Sequence, residues 1–175
     1  MRLLAAIGVL AIAGVIAALV FFFGGFYNVA ASDQDHPVVV WALQTVRNAS
    51  IARHAGRAEP PMPLDDKAAQ AGARAFNERG CVNCHGAPGA DWAKYSEGMQ
   101  PGPPELKEVA GLEPAQLFWV IKNGINMTGM PAFSATDIPD QEVWTIVAFI
   151  KRLPKVTPSD FKAWTAGPAP GAGEK

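Results

Sequence analysis

The sequence predicts an all-α protein. Two observations point there: no segment shows a convincing alternation of apolar and polar residues, and the apolar residues recur at helical spacing between recognisable helix start and stop signals. The first element is Leu3 to Phe23, 21 positions of apolar residues and glycine preceded by Arg2. At about 1.5 Å per residue such a run spans a hydrocarbon core of roughly 30 Å. A secretory signal has a shorter apolar region of about 7–15 residues followed by a small-residue cleavage site. Val29-Ala30-Ala31 offers such a site, but the length of the run and the aromatic pair Phe26 and Tyr27 at its end favour a retained transmembrane anchor over residues 1–27. The only flanking cation precedes the run, so the amino terminus is expected in the cytoplasm and the remainder outside it.

Residues 28–64 are expected to form a juxtamembrane segment. Ser32-Asp33-Gln34-Asp35 and Pro37 signal the start of an extra, moderately amphipathic helix to about Ala55, with Val39, Leu43, Val46 and Ala49 at helical spacing and the stripe ended by Arg53 and Arg57. Three roles are open to it: docking on a membrane partner, resting on the membrane surface, or acting as a stalk. Ala58-Glu59-Pro60-Pro61-Met62-Pro63 is a stiff linker.

Residues 65–155 are expected to form the main domain. Asp65 or Asp66 caps a helix to about Arg79. Pro114 starts a short helix through Lys122, ended by Asn123-Gly124, with Leu117, Val120 and Ile121 inward. A last helix runs from about Asp140 to Leu153 and is stopped by Pro154, with Trp144, Val147, Phe149 and Ile150 as packing candidates. Residues 156–175 read as a flexible tail, rich in glycine, alanine and proline from Thr165 onward.

The chemistry lies in Cys81-Val82-Asn83-Cys84-His85. C-x-x-C-H is the attachment signature of a c-type haem: two thiols at this spacing can each form a thioether to one porphyrin, and the adjacent imidazole can bind the iron. The chain has only these 2 cysteines, so none remains for a disulfide or second centre. A zinc site wants four ligands, and His36 and His54, the other histidines, lie upstream and are not suitably paired. Both are expected to face solvent. A thioredoxin-like dithiol would want a βαβ context, which is missing. A sixth ligand is offered by the segment Asn123 to Phe133. Met130, 45 residues after His85 and held between Gly129 and Pro131, suits that role, while Met127 reads as a packing or exposed residue.

Gly72-x-x-x-Phe76, Cys81 to His85, Pro104-Glu105-Leu106, Thr128-Gly129-Met130-Pro131-Ala132-Phe133 and Trp144 to Ile150 resemble a small class I c-type cytochrome, over roughly Asp65 to Pro154. The resemblance implies that fold around one covalent haem c. It implies Cys81 and Cys84 as thioether positions, His85 as proximal ligand and Met130 as distal ligand. It also implies a proline whose carbonyl accepts the histidine N–H, which Pro104 matches; the run Pro101-Gly102-Pro103-Pro104 leaves Pro103 open as the alternative. Gly72 and Phe76 would pack against the last helix.

Formal net charge is −1 with no basic stripe, so nothing points to nucleic acid. Lys94, Lys107, Lys122, Lys151, Arg152 and Lys155 could rim a docking site for an acidic partner, though a solvated mixed surface is the simpler reading. No paired carboxylates, serine–histidine–acid set or phosphate loop appears, so neither enzymatic chemistry nor a small-molecule substrate is expected. The function expected is that of a membrane-anchored monohaem electron carrier between donor and acceptor redox proteins. Its haem domain would face the periplasm from the bacterial inner membrane, where the family acquires its haem. Two alternatives stand beside it: an electron-entry subunit of a larger oxidase, reductase or dehydrogenase, and a gas- or peroxide-reactive haem protein with an open iron.

Overall fold

The leading apolar run folds as α1, Arg2–Phe23, a 22-residue helix with no buried residue and no acidic residue in its first turn. At about 1.5 Å per residue it is long enough to cross a bilayer. The computed structural model describes residues 1–136 and 138–166, and α1 belongs to a unit of its own, Met1–Gln34. The unit ends in a local turn. Asn28 Oδ1 accepts from the Ala30 N–H at 3.0 Å, the Asp33 N–H donates to the Ala30 carbonyl at 3.2 Å, and the Asn28 amide donates to the Asp33 carboxylate.

The second unit is Asp35–Lys175. It opens with α2, Pro37–His54, where proline takes the first helical position and His36 caps the amino end. After the linker, Asp65 accepts from the Ala68 N–H at 2.9 Å and starts α3, Asp66–Glu78. Then come α4, Cys81–His85; α5, Leu106–Val109; α6, Pro114–Asn123; α7, Asp140–Arg152; and α8, Pro158–Thr165. Among the described residues there is no β-strand, only an isolated bridge between Ala87 and Ala90.

The crossing of α3 on α7 organises the domain. Helical spacing puts Ala69, Gly72, Ala73 and Phe76 on one face of α3, all buried, and Glu142, Thr145, Ile146, Phe149 and Arg152 along the side of α7 that meets it, while Val143, Trp144, Val147 and Ile150 form a second buried stripe. Phe76 meets Phe149 with ring centroids 5.3 Å apart. At Gly72 the two backbones touch: a Cβ there would lie 1.8 Å from the Thr145 carbonyl oxygen. α6 lies against α7 through Phe118, stacked on Trp144 at 4.3 Å, and α2 rests on α6. Arg79 grips Glu142 with two bonds of 2.7 and 3.1 Å, and Arg152 pairs with Asp66 at 2.6 Å. These pairs are partly exposed, so each contributes at most about 1 kcal/mol and the apolar crossing dominates.

Along α2, Leu43, Val46 and Ala49 are exposed, while Val39, Val40, Ala42, Arg47, Ser50 and Ile51 are half-buried, and α6 lies against the helix. One expectation needs correction: the segment from residue 156 is not a flexible tail throughout. Val156 is buried, and α8 packs on α3 with Phe161 buried against Phe149 at 5.7 Å. The remainder of that expected tail, residues 167–175, lies outside the described residues.

The start of α8 is fixed by a reciprocal cap. The Thr157 hydroxyl accepts from the Asp160 N–H at 3.2 Å, and the Asp160 carboxylate accepts from the Thr157 N–H at 3.0 Å. Those Thr157 bonds hold the Asp160 carboxyl below its ordinary range. Its contribution is therefore present above the ordinary carboxylate pKa and lost as pH falls through the lower folded value. Thr157→Ala should lower stability by about 1 kcal/mol through loss of the hydroxyl cap, with the difference from the native protein narrowing in acid. Denaturant melts at neutral pH and below pH 4 would check both statements.

Candidate functional site

The site begins where α3 stops. Gly80, at φ +75°, turns the chain sharply, its N–H donating to the Asn77 carbonyl at 3.1 Å, and α4 follows at once. In so short a helix Cys81 and Cys84 stand three positions apart on one face, with His85 at the end. Gly86, at φ +61°, ends it. The turn is braced from below: the Asn83 carbonyl accepts from the Ala93 N–H at 2.7 Å and from the Ser96 hydroxyl at 2.8 Å. Ser96 is buried and was not flagged by the sequence, where it sits in an unremarkable polar loop.

Both thiols are free and half-buried. Burial pushes the Cys81 thiol up to about 11, so it stays protonated at neutral pH. Cys84 Sγ lies 4.0 Å from the Tyr95 hydroxyl. His85 Nδ1 is 3.1 Å from the Pro104 carbonyl oxygen, while Pro103 makes no such bond. That oxygen can only accept, so Nδ1 carries the proton and Nε2 keeps its lone pair. Burial lowers the His85 pKa, against the opposing effect of the Pro104 bond, and so favours the neutral imidazole that ligates metals.

The methionine segment is a closed loop. It leaves α6 at Gly124, a buried glycine at φ +66° where a Cβ would lie 2.6 Å from the Pro131 carbonyl carbon. The Ile125 N–H donates to the Met130 carbonyl at 3.2 Å. Thr128 ties the interior, its hydroxyl donating to the Ile125 carbonyl at 2.7 Å and accepting from the Met130 N–H at 3.1 Å. The two methionines part here. Met130 packs against the same core that Cys81 and Val82 touch, whereas Met127 is 91% exposed at φ +60°. A third, Met99, packs at Gly129, where a Cβ would stand 3.0 Å from its sulfur; no sequence motif marks it.

The other candidates stay apart. His36 caps α2 by accepting from the Val38 N–H at 3.3 Å. His54 sets Nδ1 2.8 Å from the Ser50 carbonyl and stacks on Trp119 at 6.2 Å. Several cations of the supposed rim are already engaged. Lys94 pairs with Glu97 at 2.8 Å, Lys122 with Asp140 at 2.7 Å, Arg152 with Asp66, and Lys151 donates to the Leu112 carbonyl at 3.0 Å. Lys94, Lys122 and Arg152 thus sit beside carboxylates, as on the solvated mixed surface that the sequence favoured.

A haem fits these residues. The unbonded thiols, the neutral imidazole with Nε2 free and the thioether on the same core form the donor set a covalent haem requires. Among the described residues no group of three or more His, Cys, Asp or Glu side chains is placed to hold a metal ion. Residues 67–150 match a family model described as Cytochrome C oxidase, cbb3-type, subunit III. Neither the curated proteins nor the solved structures give a match to the chain.

Proposed function

On the premise that residues 67–150 are a c-type cytochrome domain, we propose that the chain is a membrane-anchored monohaem electron carrier. The observation that supports it most is the bond from His85 Nδ1 to Pro104, which presents Nε2 as an oriented ligand beside two thiols. When bound, the haem supplies a one-electron ferric–ferrous couple. The remaining work falls to the chain. Cys81 and Cys84 would tether the group, and His85, its imidazole fixed by Pro104, and Met130 would hold the iron, the thioether raising its potential. Thr128 and Gly124 keep the methionine loop closed and so fix where Met130 sits.

The domain division that goes with this is an anchor over 1–27, a juxtamembrane helix and linker over 28–64, and a haem domain over 65–155, to which α8 is now added. The haem domain faces the periplasm of a bacterial inner membrane and exchanges electrons with a donor and an acceptor protein of a respiratory or periplasmic chain. A second reading draws on the description of the matching family, a cytochrome c oxidase subunit: the chain acts as the electron-entry subunit of such a complex. Co-purification of a large partner after mild solubilisation would support that reading over the free carrier.

Two outcomes test the proposal. Replacing Cys81 or Cys84 with Ala should leave at most one thioether, and replacing both should give a haem that acid-acetone extracts. A native protein whose haem extracts freely, or that holds stoichiometric zinc, would sink the reading. Mass spectrometry of the mature protein should find residues before Ala31; a chain starting at Ser32 would make it a soluble periplasmic cytochrome.

A further inference from the structure

We propose that α2 is an interfacial helix whose face of Val38, Trp41, Ala42, Thr45, Val46 and Ala49 lies on the anionic surface of the bilayer that α1 crosses. At about 100° per residue these six positions fall within one arc of roughly 140°. The half-buried Val40, Arg47 and Ile51 are on the opposite half of the helix. On the outer face the small Ala42 is half-buried, but its large residues are open: Val38 is 62% exposed, and Trp41 and Val46 are each 67% exposed. The one hydroxyl on the arc is turned back on the helix, since Thr45 Oγ1 donates to the Trp41 carbonyl at 2.7 Å. Leu43, 62% exposed, widens the apolar sector on the Val46 side.

Charge selects the occupant. Arg47 lies on the domain side, and Asp33, Asp35 and Glu59 flank the segment, so the selection rests on Arg53 and Arg57 at its carboxyl end, both exposed. Each cation near an anionic lipid surface is worth about 1 kcal/mol. Trp41 suits the headgroup layer, having an apolar ring with one polar N–H. The chain also brings the helix there. Only residues 24–36 separate the end of α1 from the start of α2, and even fully extended they span no more than about 50 Å, less the turn over residues 28–33. A tethered helix meets its surface at high effective concentration, so a modest intrinsic affinity suffices. The consequence for electron transfer is positional. α6 lies on the inward side of α2 and carries the methionine loop at its end, so α2 would hold that loop at a set height above the bilayer.

This inference rests on α1 being retained as an anchor. The test uses the full-length haem-loaded protein in nanodiscs of phosphatidylcholine with about one third phosphatidylglycerol, and in phosphatidylcholine alone. Nitroxide labels on Val38→Cys, Trp41→Cys and Val46→Cys, with Gln44→Cys as the water-facing control, report collision with dissolved oxygen and with an aqueous nickel chelate. In anionic discs the three face labels should be shielded from nickel at least threefold relative to Gln44. In neutral discs, and in Arg53→Gln/Arg57→Gln, that shielding should shrink toward the control. Face labels as open to nickel as Gln44 in anionic discs would overturn the proposal while leaving the anchor intact. Spin–spin broadening between labels, placing a second copy on this face, would also overturn it. Release of the protein from the discs would remove the anchor reading itself.

Discussion

Met130→Ala is expected to change the protein from a closed carrier into a ligand-binding haem protein. In the proposed arrangement the Met130 thioether closes the sixth position, and thioether ligation raises the potential. Its removal should abolish the weak far-red ferric absorption band, lower the reduction potential and admit carbon monoxide to ferrous iron at neutral pH. Met127→Ala should do none of these. The geometry separates the two: Met130 packs on the core beneath a loop tied by Thr128, while Met127 points into solvent at the outer bend. If the substitutions exchange behaviour, the ligand is Met127 and the carrier reading stands. If the unmodified ferrous protein already takes up carbon monoxide readily, the gas- or peroxide-reactive alternative gains the ground the carrier loses.

Gly72→Ala should be among the most damaging single-atom changes in the chain. Helix propensity alone says the opposite, since alanine in a helix interior is favoured over glycine by about 1 kcal/mol. At this position the added Cβ would lie 1.8 Å from the Thr145 carbonyl oxygen and 2.4 Å from its carbon. Backbone cannot swing aside as a side chain can, so α3 and α7 must separate and the packing of Phe76, Val147 and Phe149 must loosen with them. A loss of about 3 kcal/mol or more is expected, a fall in Tm of roughly 10–20 °C for a domain of this size. Calorimetry of the haem-loaded protein checks it, and a Tm equal to or above the native value would show that the helices do not cross so closely. Thr145→Ala leaves its carbonyl in place and should not rescue the variant.

Where the chain states its structure locally, the sequence was sufficient. Asp65, Pro114 and Pro154 bracket helices because capping and proline geometry act within a few residues, and α3, α6 and α7 fall within a residue or two of those signals. Cys81, Cys84 and His85 announce their chemistry by spacing alone. The Thr157–Asp160 cap is equally local, but the glycine and proline farther along give the whole segment the composition of a tail. The face that α2 turns inward was a different matter. Valine and leucine recur on more than one side of it, and which side is covered depends on where α6 lies, a contact between residues far apart in sequence.

The sequence by itself determined that this is a helical chain with a membrane-length apolar segment and one haem-attachment motif, since composition, periodicity and nearest-neighbour stereochemistry fix those properties. Tertiary structure alone decided that Pro104 rather than Pro103 meets His85, that Met127 and Met130 have opposite surroundings, that Lys94, Lys122 and Arg152 are ion-paired, and that α8 belongs to the core. Each of these depends on two segments meeting in space. A choice between adjacent prolines or nearby methionines leaves the local pattern almost unchanged, and only the partner across the fold distinguishes them.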